Sequence, residues 1–218
     1  MQSLSDTSIQ VVCDFDGTIT QGNVMDFIAS RFAACGLKYS QAWDRGEIST
    51  RDEFRLTFAE IDASLEEMTA SLKDVAYDKT LPDLVKFCRE RGYVFSVLSD
   101  GLRWYIEAVL AHAGVNDVYL YANEIRAVDG AFEFDYPWYS EETPRLAMCK
   151  PRVLRGLRKQ GKVIVYIGDG PSDFAAVHYA DMIYAKPALE AYCQEQRLAC
   201  QPFDKLADII TRWQWLDG

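Results

Sequence analysis

The sequence predicts an α/β protein with a doubly wound parallel sheet. Short apolar runs rich in Val and Ile recur along the chain, and helical patterns alternate with them. This alternation is typical of a parallel sheet with helices on both faces, and apolar runs of this kind suit strands that are buried on both sides. The length of 218 residues is sufficient for one such core with a small insertion.

The predicted elements follow one another in order along the chain. In sheets of this class, ligands bind beyond the carboxyl ends of the strands, so the residues after each strand are the candidates for function. The patterns predict strands near residues 9–14, 93–98, 117–122, 163–168 and 181–185, and helices near residues 83–91, 103–113, 151–160, 172–179 and 187–195.

A long insertion separates the first two strands. It contains about seventy residues, too many for a single crossover, and its apolar residues recur at spacings of three and four, the pattern of amphipathic helices. We therefore expect a helical cap domain at residues 23–79 and a core formed by residues 1–22 and 80–218. A second insertion, at residues 119–134, has two apolar runs around an Asp129–Gly130 turn, which predicts a hairpin.

Two aspartates follow the first predicted strand. Asp14 and Asp16 come after the apolar run Val11–Cys13 and precede Gly17. Residues i and i+2 of a strand face the same side, so the two carboxylates project together. At about 4 Å and an effective dielectric constant of about 20, two such charges repel each other by roughly 4 kcal/mol. The pair therefore requires a cation, a shared proton or both.

Further polar groups follow the later strands. Ser99 ends a second apolar run and precedes Asp100 and Gly101, Lys150 comes after a long interval, and the acidic turn Gly168–Asp173 follows a third run. Taken singly, each has an ordinary structural explanation: a helix cap, a solvated lysine or a turn. Their order along one chain favours a shared site.

The order Asp-x-Asp, Ser, Lys, Asp-x-x-x-Asp resembles the four motifs of the haloacid dehalogenase (HAD) superfamily of phosphohydrolases, and the resemblance covers nearly the whole chain. It implies a Rossmann-like core. The helical insertion is similar in position to the cap of the phosphoserine-phosphatase-like branch. Phosphoryl transfer needs an in-line nucleophile, neutralisation of the phosphate oxygens and a proton for the leaving group.

These requirements give each charged motif residue an expected role. Asp14 is the expected nucleophile, which forms an aspartyl-phosphate, and Asp16 is the expected general acid and base. Lys150 would orient Asp14 and offset the charge on phosphate. The expected cofactor is Mg²⁺, because a hard cation prefers oxygen ligands. Its expected ligands are Asp14, the backbone carbonyl of Asp16 and Asp169, with Asp173 supporting the metal or Lys150.

Phosphate binding and substrate choice involve a second group of residues. Ser99, with the backbone N–H groups that follow it at a helix start, would hold the phosphate oxygens. Substrate choice is expected in the cap and just after the first motif. A cap arginine could face the site, or it could form a surface ion pair instead. The expected substrate-binding residues are Thr18, Asn23, Arg55, Ser99, Asp100, Gly101 and Ser172.

Asn23 bears on the identity of the leaving group. Phosphoserine phosphatases typically carry a glutamate nine residues beyond the nucleophile, where this chain has Asn23, and this departure argues against phosphoserine. Asn23, the hairpin, Cys149–Pro151 and Ala180–Lys186 look like the methionine-salvage HAD phosphatases, which act on 2-hydroxy-3-keto-5-methylthiopentenyl-1-phosphate. That group usually has an aspartate in place of Asn23. The resemblance implies a Mg²⁺-dependent phosphomonoester hydrolase that acts on a small metabolite.

Several alternatives remain open at this point. Phosphoserine hydrolysis and phosphoryl transfer to a second alcohol use the same fold. A phospho-accepting receiver module also groups acids, a hydroxyl residue and a lysine around Mg²⁺, but it has no use for a cap and places its acidic pair and phosphoacceptor on different strands. A degenerate scaffold could serve as a binding protein, although all the catalytic residue types are present.

The composition limits the partners. Asp and Glu number 33 against 23 Lys and Arg, for a net charge of −10, which disfavours nucleic acid and anionic membranes as partners. Residues 1–10 lack the features of a signal peptide, and no apolar run approaches transmembrane length, so we expect a cytoplasmic protein. The six cysteines show no Cys-x-x-Cys spacing and the chain has only two histidines, so we do not expect a zinc site. The sequence is compatible with a monomer or a homodimer.

Overall fold

The computed structural model describes residues 9–216. Within this range the strands are β1 (Ile9–Cys13), β2 (Val94–Leu102), β3 (Tyr119–Val128), β4 (Ala131–Asp135), β5 (Val163–Gly168), β6 (Met182–Ala185) and β7 (Gln201–Pro202). These strands form one sheet in the order β4-β3-β2-β1-β5-β6-β7, and all neighbours are parallel except β3 and β4. The predicted α/β fold class is confirmed. Residues 1–8, which the predicted core segment 1–22 includes, and residues 217–218 lie outside the described residues.

The central position of β1 creates the site. β1 pairs in parallel with β2 on one side and with β5 on the other. Because parallel strands end at the same edge of a sheet, the residues that follow β1, β2 and β5 come together there.

Local sequence signals fix many of the helix starts. In the described part of the chain the helices are α1 (Val24–Phe32), α2 (Lys38–Asp44), α3 (Thr50–Phe58), α4 (Leu65–Ser71), α5 (Leu81–Glu90), α6 (Arg103–His112), α7 (Lys150–Lys159), α8 (Pro187–Glu195) and α9 (Leu206–Leu216). Ser49 and Asp52 form a reciprocal capping box at the start of α3, and Ser64 and Glu67 do the same for α4, which satisfies N–H groups that otherwise lack partners. A proline occupies the first turn of α5, α7 and α8, where its missing N–H costs nothing.

The long insertion folds into α1–α4, in agreement with its helical pattern. The predicted hairpin is also confirmed, because β3 pairs antiparallel with β4. Phe58 of α3 contacts the rings of Phe132 and Phe134 edge to face, with centroid distances of 5.1 and 5.3 Å. Phe54 stacks on Phe134. The hairpin therefore supports α3 from the side.

One predicted helix in the second half of the chain is wrong. The predicted helix at residues 172–179 is replaced by two short 3₁₀ helices, Pro171–Asp173 and Val177–Tyr179. Backbone N–H groups there bond to carbonyls three residues earlier, because the buried carboxylate of Asp173 holds two loop N–H groups in a tight turn. β7 and α9, which follow residue 195, are not among the predicted elements. Across residues 9–216, no helix combines the length and apolar character needed to cross a membrane.

Candidate active site

A cavity of about 270 Å³ lies at the carboxyl ends of β1, β2 and β5, beneath the helices of the insertion. Most of the expected site residues line it: Asp14, Asp16, Asn23, Ser99, Asp100, Gly101, Asp169 and Ser172. The structure therefore brings together groups that are up to 158 residues apart in sequence, from Asp14 to Ser172. Their meeting follows from the parallel strand order described above.

Lys150 is fully buried beside Asp14. Its ammonium Nζ lies 2.6 Å from Asp14 Oδ1 and 2.6 Å from Asp173 Oδ1, and it donates to Ser172 Oγ at 3.0 Å. Burial opposes the charged form of Lys150, but the two carboxylates outweigh that effect and raise its pKa. Lys150 is therefore a fixed cation that holds Asp14 in place.

Asp173 positions the groups around it. Its Oδ1 accepts hydrogen bonds from Lys150 and from the hydroxyl of Tyr166 at 2.6 Å, and its Oδ2 accepts from the backbone N–H groups of Asp169 at 2.9 Å and Gly170 at 3.3 Å. A carboxylate has about four acceptor sites, and here donors occupy all of them. Asp173 thus ties Lys150 to the loop that carries Asp169.

The side chain of Asp16 forms hydrogen bonds with a different set of groups from that of Asp14. Its Oδ1 accepts from the backbone N–H of Val24 at the start of α1, at 2.8 Å, and its Oδ2 accepts from the hydroxyl of Tyr105 at 3.2 Å. Burial raises the pKa of Asp16 to about 7, against the opposing effect of these hydrogen bonds. The two aspartates of the first motif are thereby placed in different environments.

Three carboxylates cluster closely enough to share a metal ion. Oxygens of Asp14, Asp169 and Asp173 all lie within 4.8 Å of one another, and the neighbouring Lys150 supplies only one positive charge. Burial, followed by the charge of Asp173, raises the pKa of Asp14. An all-oxygen donor set with excess negative charge fits Mg²⁺. The side chain of Asp16 is outside this cluster.

The second motif differs from its expected geometry. α6 starts at Arg103, in agreement with the helix predicted near residues 103–113, but β2 continues to Leu102. Asp100 and Gly101 therefore lie in the strand and not at a helix start as expected. Ser99 Oγ instead accepts a hydrogen bond from the N–H of Gly101 at 2.9 Å. The hydroxyl of Ser99 keeps a proton that it can donate into the cavity.

The side chain of Asp100 connects α3 with the segment before α7. Its Oδ2 accepts from the hydroxyl of Thr50 at 2.6 Å, and its Oδ1 accepts from the N–H of Met148 at 2.5 Å. Burial raises the pKa of Asp100 to about 6. The predicted contribution of this residue is its backbone N–H, and sequence reasoning missed this connection.

Two expected substrate-binding residues do not line the cavity. Thr18 is buried beside it, and its hydroxyl donates to Asp169 Oδ1 at 3.3 Å. The structure does not bring Arg55 to the site, because this residue lies on the outer side of α3 with its side chain 66% exposed, 3.5 Å from Asp52. The surface ion pair is thus the outcome for Arg55. Asn23 lines the cavity but uses its side-chain oxygen to cap α1 through the N–H of Met25.

Sequence reasoning also missed several cavity residues. They are Met25, Trp43, Thr50, Glu53, Phe54 and Tyr105. A signal was present for those on α3, because Thr50, Glu53, Phe54, Thr57 and Phe58 follow the spacing of one helix face, and all are buried.

Comparisons with known proteins give the family of the chain and the likeness of its fold. A profile of haloacid dehalogenase-like hydrolases matches residues 11–178. The 2-hydroxy-3-keto-5-methylthiopentenyl-1-phosphate phosphatase of Bacillus velezensis is 28% identical and covers 92% of this chain and 88% of its own. The enzyme of the same name from Bacillus mycoides is 26% identical, with coverages of 96% and 97%. A solved phospho-aspartyl intermediate analogue of phosphoserine phosphatase has a TM-score of 0.73 at 20% identity and covers 95% of this chain and 99% of that one, a likeness of fold.

Proposed function

This chain belongs to the haloacid dehalogenase-like hydrolase family and is a phosphatase, and on that premise we propose that it hydrolyses a small phosphomonoester through an aspartyl-phosphate on Asp14. The observation that carries the proposal is the different placement of two neighbouring aspartates. Asp14 is held by Lys150 at 2.6 Å, whereas Asp16 is held by Val24 and Tyr105. One carboxylate is positioned to attack and the other to exchange a proton.

In the first step, a carboxylate oxygen of Asp14 attacks phosphorus. The new bond joins that oxygen to phosphorus, and the bond between phosphorus and the ester oxygen breaks. The departing alkoxide takes the proton of the Asp16 carboxyl, whose pKa of about 7 allows it to hold a proton near neutral pH. The alcohol leaves, and the phosphoryl group stays on Asp14.

In the second step, water releases the phosphate. Asp16, now a carboxylate, takes a proton from a water molecule as that water attacks phosphorus. The bond between phosphorus and the Asp14 oxygen breaks, which regenerates the Asp14 carboxylate and the protonated Asp16. Lys150 and the hydroxyl of Ser99 offset the charge of the phosphoryl oxygens in both steps.

We also assign the cofactor as Mg²⁺. Asp14 and Asp169 would hold it, because the oxygens of Asp173, the third member of the cluster, already have four donors. When bound, the ion supplies positive charge that neutralises the phosphate and the clustered carboxylates.

For the substrate we propose 2-hydroxy-3-keto-5-methylthiopentenyl-1-phosphate or a close analogue. The names of the relatives that cover nearly the whole chain support this assignment. Asn23 brings no charge with which to bind an amine, which disfavours phosphoserine. We propose that residues 23–79, which contain α1–α4, act as a cap domain over the core formed by residues 1–22 and 80–218.

Phosphate release from a panel of phosphomonoesters tests the proposed function. The panel contains the thiopentenyl substrate, phosphoserine, sugar phosphates and pyridoxal phosphate, each with Mg²⁺ or with a chelator. We expect turnover that requires Mg²⁺ and disappears in Asp14→Asn, while Asp83→Asn, which changes an exposed aspartate, keeps wild-type activity. Turnover that survives Asp14→Asn would contradict the mechanism, and no turnover on any ester would contradict the function.

A further inference from the structure

Glu53 is a buried acid in the cavity that the proposed chemistry does not use. It lies on α3, only 6% exposed, and lines the same cavity as Asp14 and Asp16. Within residues 9–216 its carboxyl group has no hydrogen bond and no ion pair. Although the side chain as a whole is largely buried, its carboxyl oxygens are not sealed from the cavity, so they are free to hydrogen-bond to a ligand there.

The surroundings of Glu53 indicate which kind of group it binds. The carboxyl groups that act on it belong to Asp16, Asp26, Asp44 and Asp100, from four different parts of the fold, and burial together with these charges raises the pKa of Glu53 to about 8. A carboxyl group that keeps its proton both donates and accepts a hydrogen bond. It therefore suits a hydroxyl or keto oxygen better than an ammonium group, which needs a carboxylate as counter-ion.

The neighbouring wall of the cavity is apolar. Met25, Trp43 and Phe54 line it together with Glu53. Trp43 is oriented by its indole N–H, which donates to the hydroxyl of Thr50 at 3.0 Å, one turn before Glu53 on α3. This part of the cavity thus places the Glu53 carboxyl group beside a small apolar surface, which suits a short carbon chain that carries oxygen near one end.

We propose that Glu53 selects the substrate by hydrogen bonding to a hydroxyl or keto oxygen of the leaving group, whose apolar end contacts Met25, Trp43 and Phe54. Glu53 thereby becomes a specificity-determining residue for hydroxyketone phosphates. The inference rests on the proposed phosphatase function and adds to it the part of the leaving group that is recognised.

Three small substrates separate the alternatives. Dihydroxyacetone phosphate carries a hydroxyl and a keto group, n-propyl phosphate has the same number of carbons without them, and phosphoethanolamine carries an ammonium group. The measurement is kcat/KM for each ester with Mg²⁺, in the wild type, Glu53→Ala, Glu53→Gln and Glu53→Leu. Glu60→Ala removes an exposed glutamate just after α3 and is the matched control.

We expect the ratio of kcat/KM for dihydroxyacetone phosphate to that for n-propyl phosphate to fall about tenfold in Glu53→Ala, as the loss of one or two hydrogen bonds predicts. Glu53→Leu fills a similar volume without polar atoms. We expect the same tenfold fall in this variant, which replaces the alanine variant if that one does not fold. Glu53→Gln keeps a donor and an acceptor and should retain most of the ratio. Glu60→Ala should leave it unchanged.

The contrary outcomes are distinct. An unchanged ratio in Glu53→Ala and Glu53→Leu, with wild-type turnover that depends on Asp14, would overturn the role of Glu53 and leave the phosphatase function standing. A larger loss of kcat/KM on phosphoethanolamine than on dihydroxyacetone phosphate in Glu53→Ala would show that Glu53 acts as a counter-ion for an ammonium group. That result would overturn the assignment of hydroxyketone phosphates as the substrate class. Wild-type protein that hydrolyses none of the three esters or the panel above would overturn both proposals.

Discussion

The backbone at Gly101 passes so close to Tyr105 and to Asp16, the proposed general acid, that a side chain has no room there. A Cβ atom at this position would collide with the hydroxyl of Tyr105 and would lie 3.0 Å from Asp16 Oδ2. The hydrogen bond between Tyr105 and Asp16 therefore depends on a glycine at position 101. Gly101 thus contributes to the site through its small size as well as its N–H group.

Gly101→Ala should lower kcat by at least about tenfold, because displacing Tyr105 removes a hydrogen bond to a carboxyl group that is worth about 1.5 kcal/mol or more. The matched control is Gly156→Ala. Gly156 lies within α7 and faces open space where a Cβ atom would project, so alanine there should leave kcat unchanged and stabilise the helix by about 0.5–1 kcal/mol. Equal kcat values in the two variants would contradict this account.

The raised pKa of Glu53 predicts how stability changes with pH. Its ordinary pKa is 4.5 and its folded value is about 8, so both states hold the proton below pH 4.5. Between pH 4.5 and 8 the unfolded chain releases this proton while the folded chain keeps it, and stability falls as pH rises. Glu53→Gln should remove that loss, so its free energy of unfolding at pH 8 should exceed that of the wild type by a few kcal/mol. Urea unfolding at pH 5 and pH 8 measures the difference in stability between Glu53→Gln and the wild type. The same difference at both pH values would contradict the raised pKa of Glu53.

At the scale of elements, helix α3 and the hairpin β3–β4 act as one unit. α3 carries Glu53 and Thr50 on its cavity side, and Phe58 on the same helix packs against the aromatic rings of β4. Ring pairs of this kind contribute about 0.5–1.5 kcal/mol beyond the area they bury. The position of the cavity wall is therefore coupled to the edge of the sheet.

Phe58→Ala should cost about 3–5 kcal/mol of unfolding free energy, as expected for a buried ring, and raise KM by loosening α3. In a double-mutant cycle, Phe58 and Phe134 should show a coupling of about 0.5–1.5 kcal/mol, measured by urea unfolding. Tyr119→Ala removes an aromatic side chain that is 66% exposed, and it should change neither the free energy of unfolding nor KM. Strictly additive effects of Phe58→Ala and Phe134→Ala would show that α3 and β4 are independent.

At the scale of the whole molecule, the sequence is most informative where the fold follows from strand order. Asp14, Ser99 and Asp169 could be placed together because parallel strands end at a common edge. Helical spacing places Glu53 on the same face of α3 as Phe54 and Phe58 and places Arg55 off that face. Local patterns do not show that this face turns toward the site, because the orientation of a helix above the sheet edge depends on packing between distant segments. The 3₁₀ turns near Asp173 likewise depend on hydrogen bonds of a buried carboxylate, which helical periodicity does not reveal.

The cluster of negative charge at the centre of an acidic protein predicts that the proposed Mg²⁺ cofactor stabilises the fold. The chain has a net charge of −10, and three of its carboxylates lie within 4.8 Å of one another. The proposed Mg²⁺ site exists only in the folded state, so a Mg²⁺ concentration 100 times the Kd of that site should add about 2.7 kcal/mol to the free energy of unfolding. Thermal unfolding in Mg²⁺, against NaCl of the same ionic strength to account for screening, should show this increase in the wild type and in Asp83→Asn and a much smaller one in Asp169→Asn. Equal increases in Asp169→Asn and the wild type would place the ion elsewhere, since general screening does not distinguish one buried carboxylate from another.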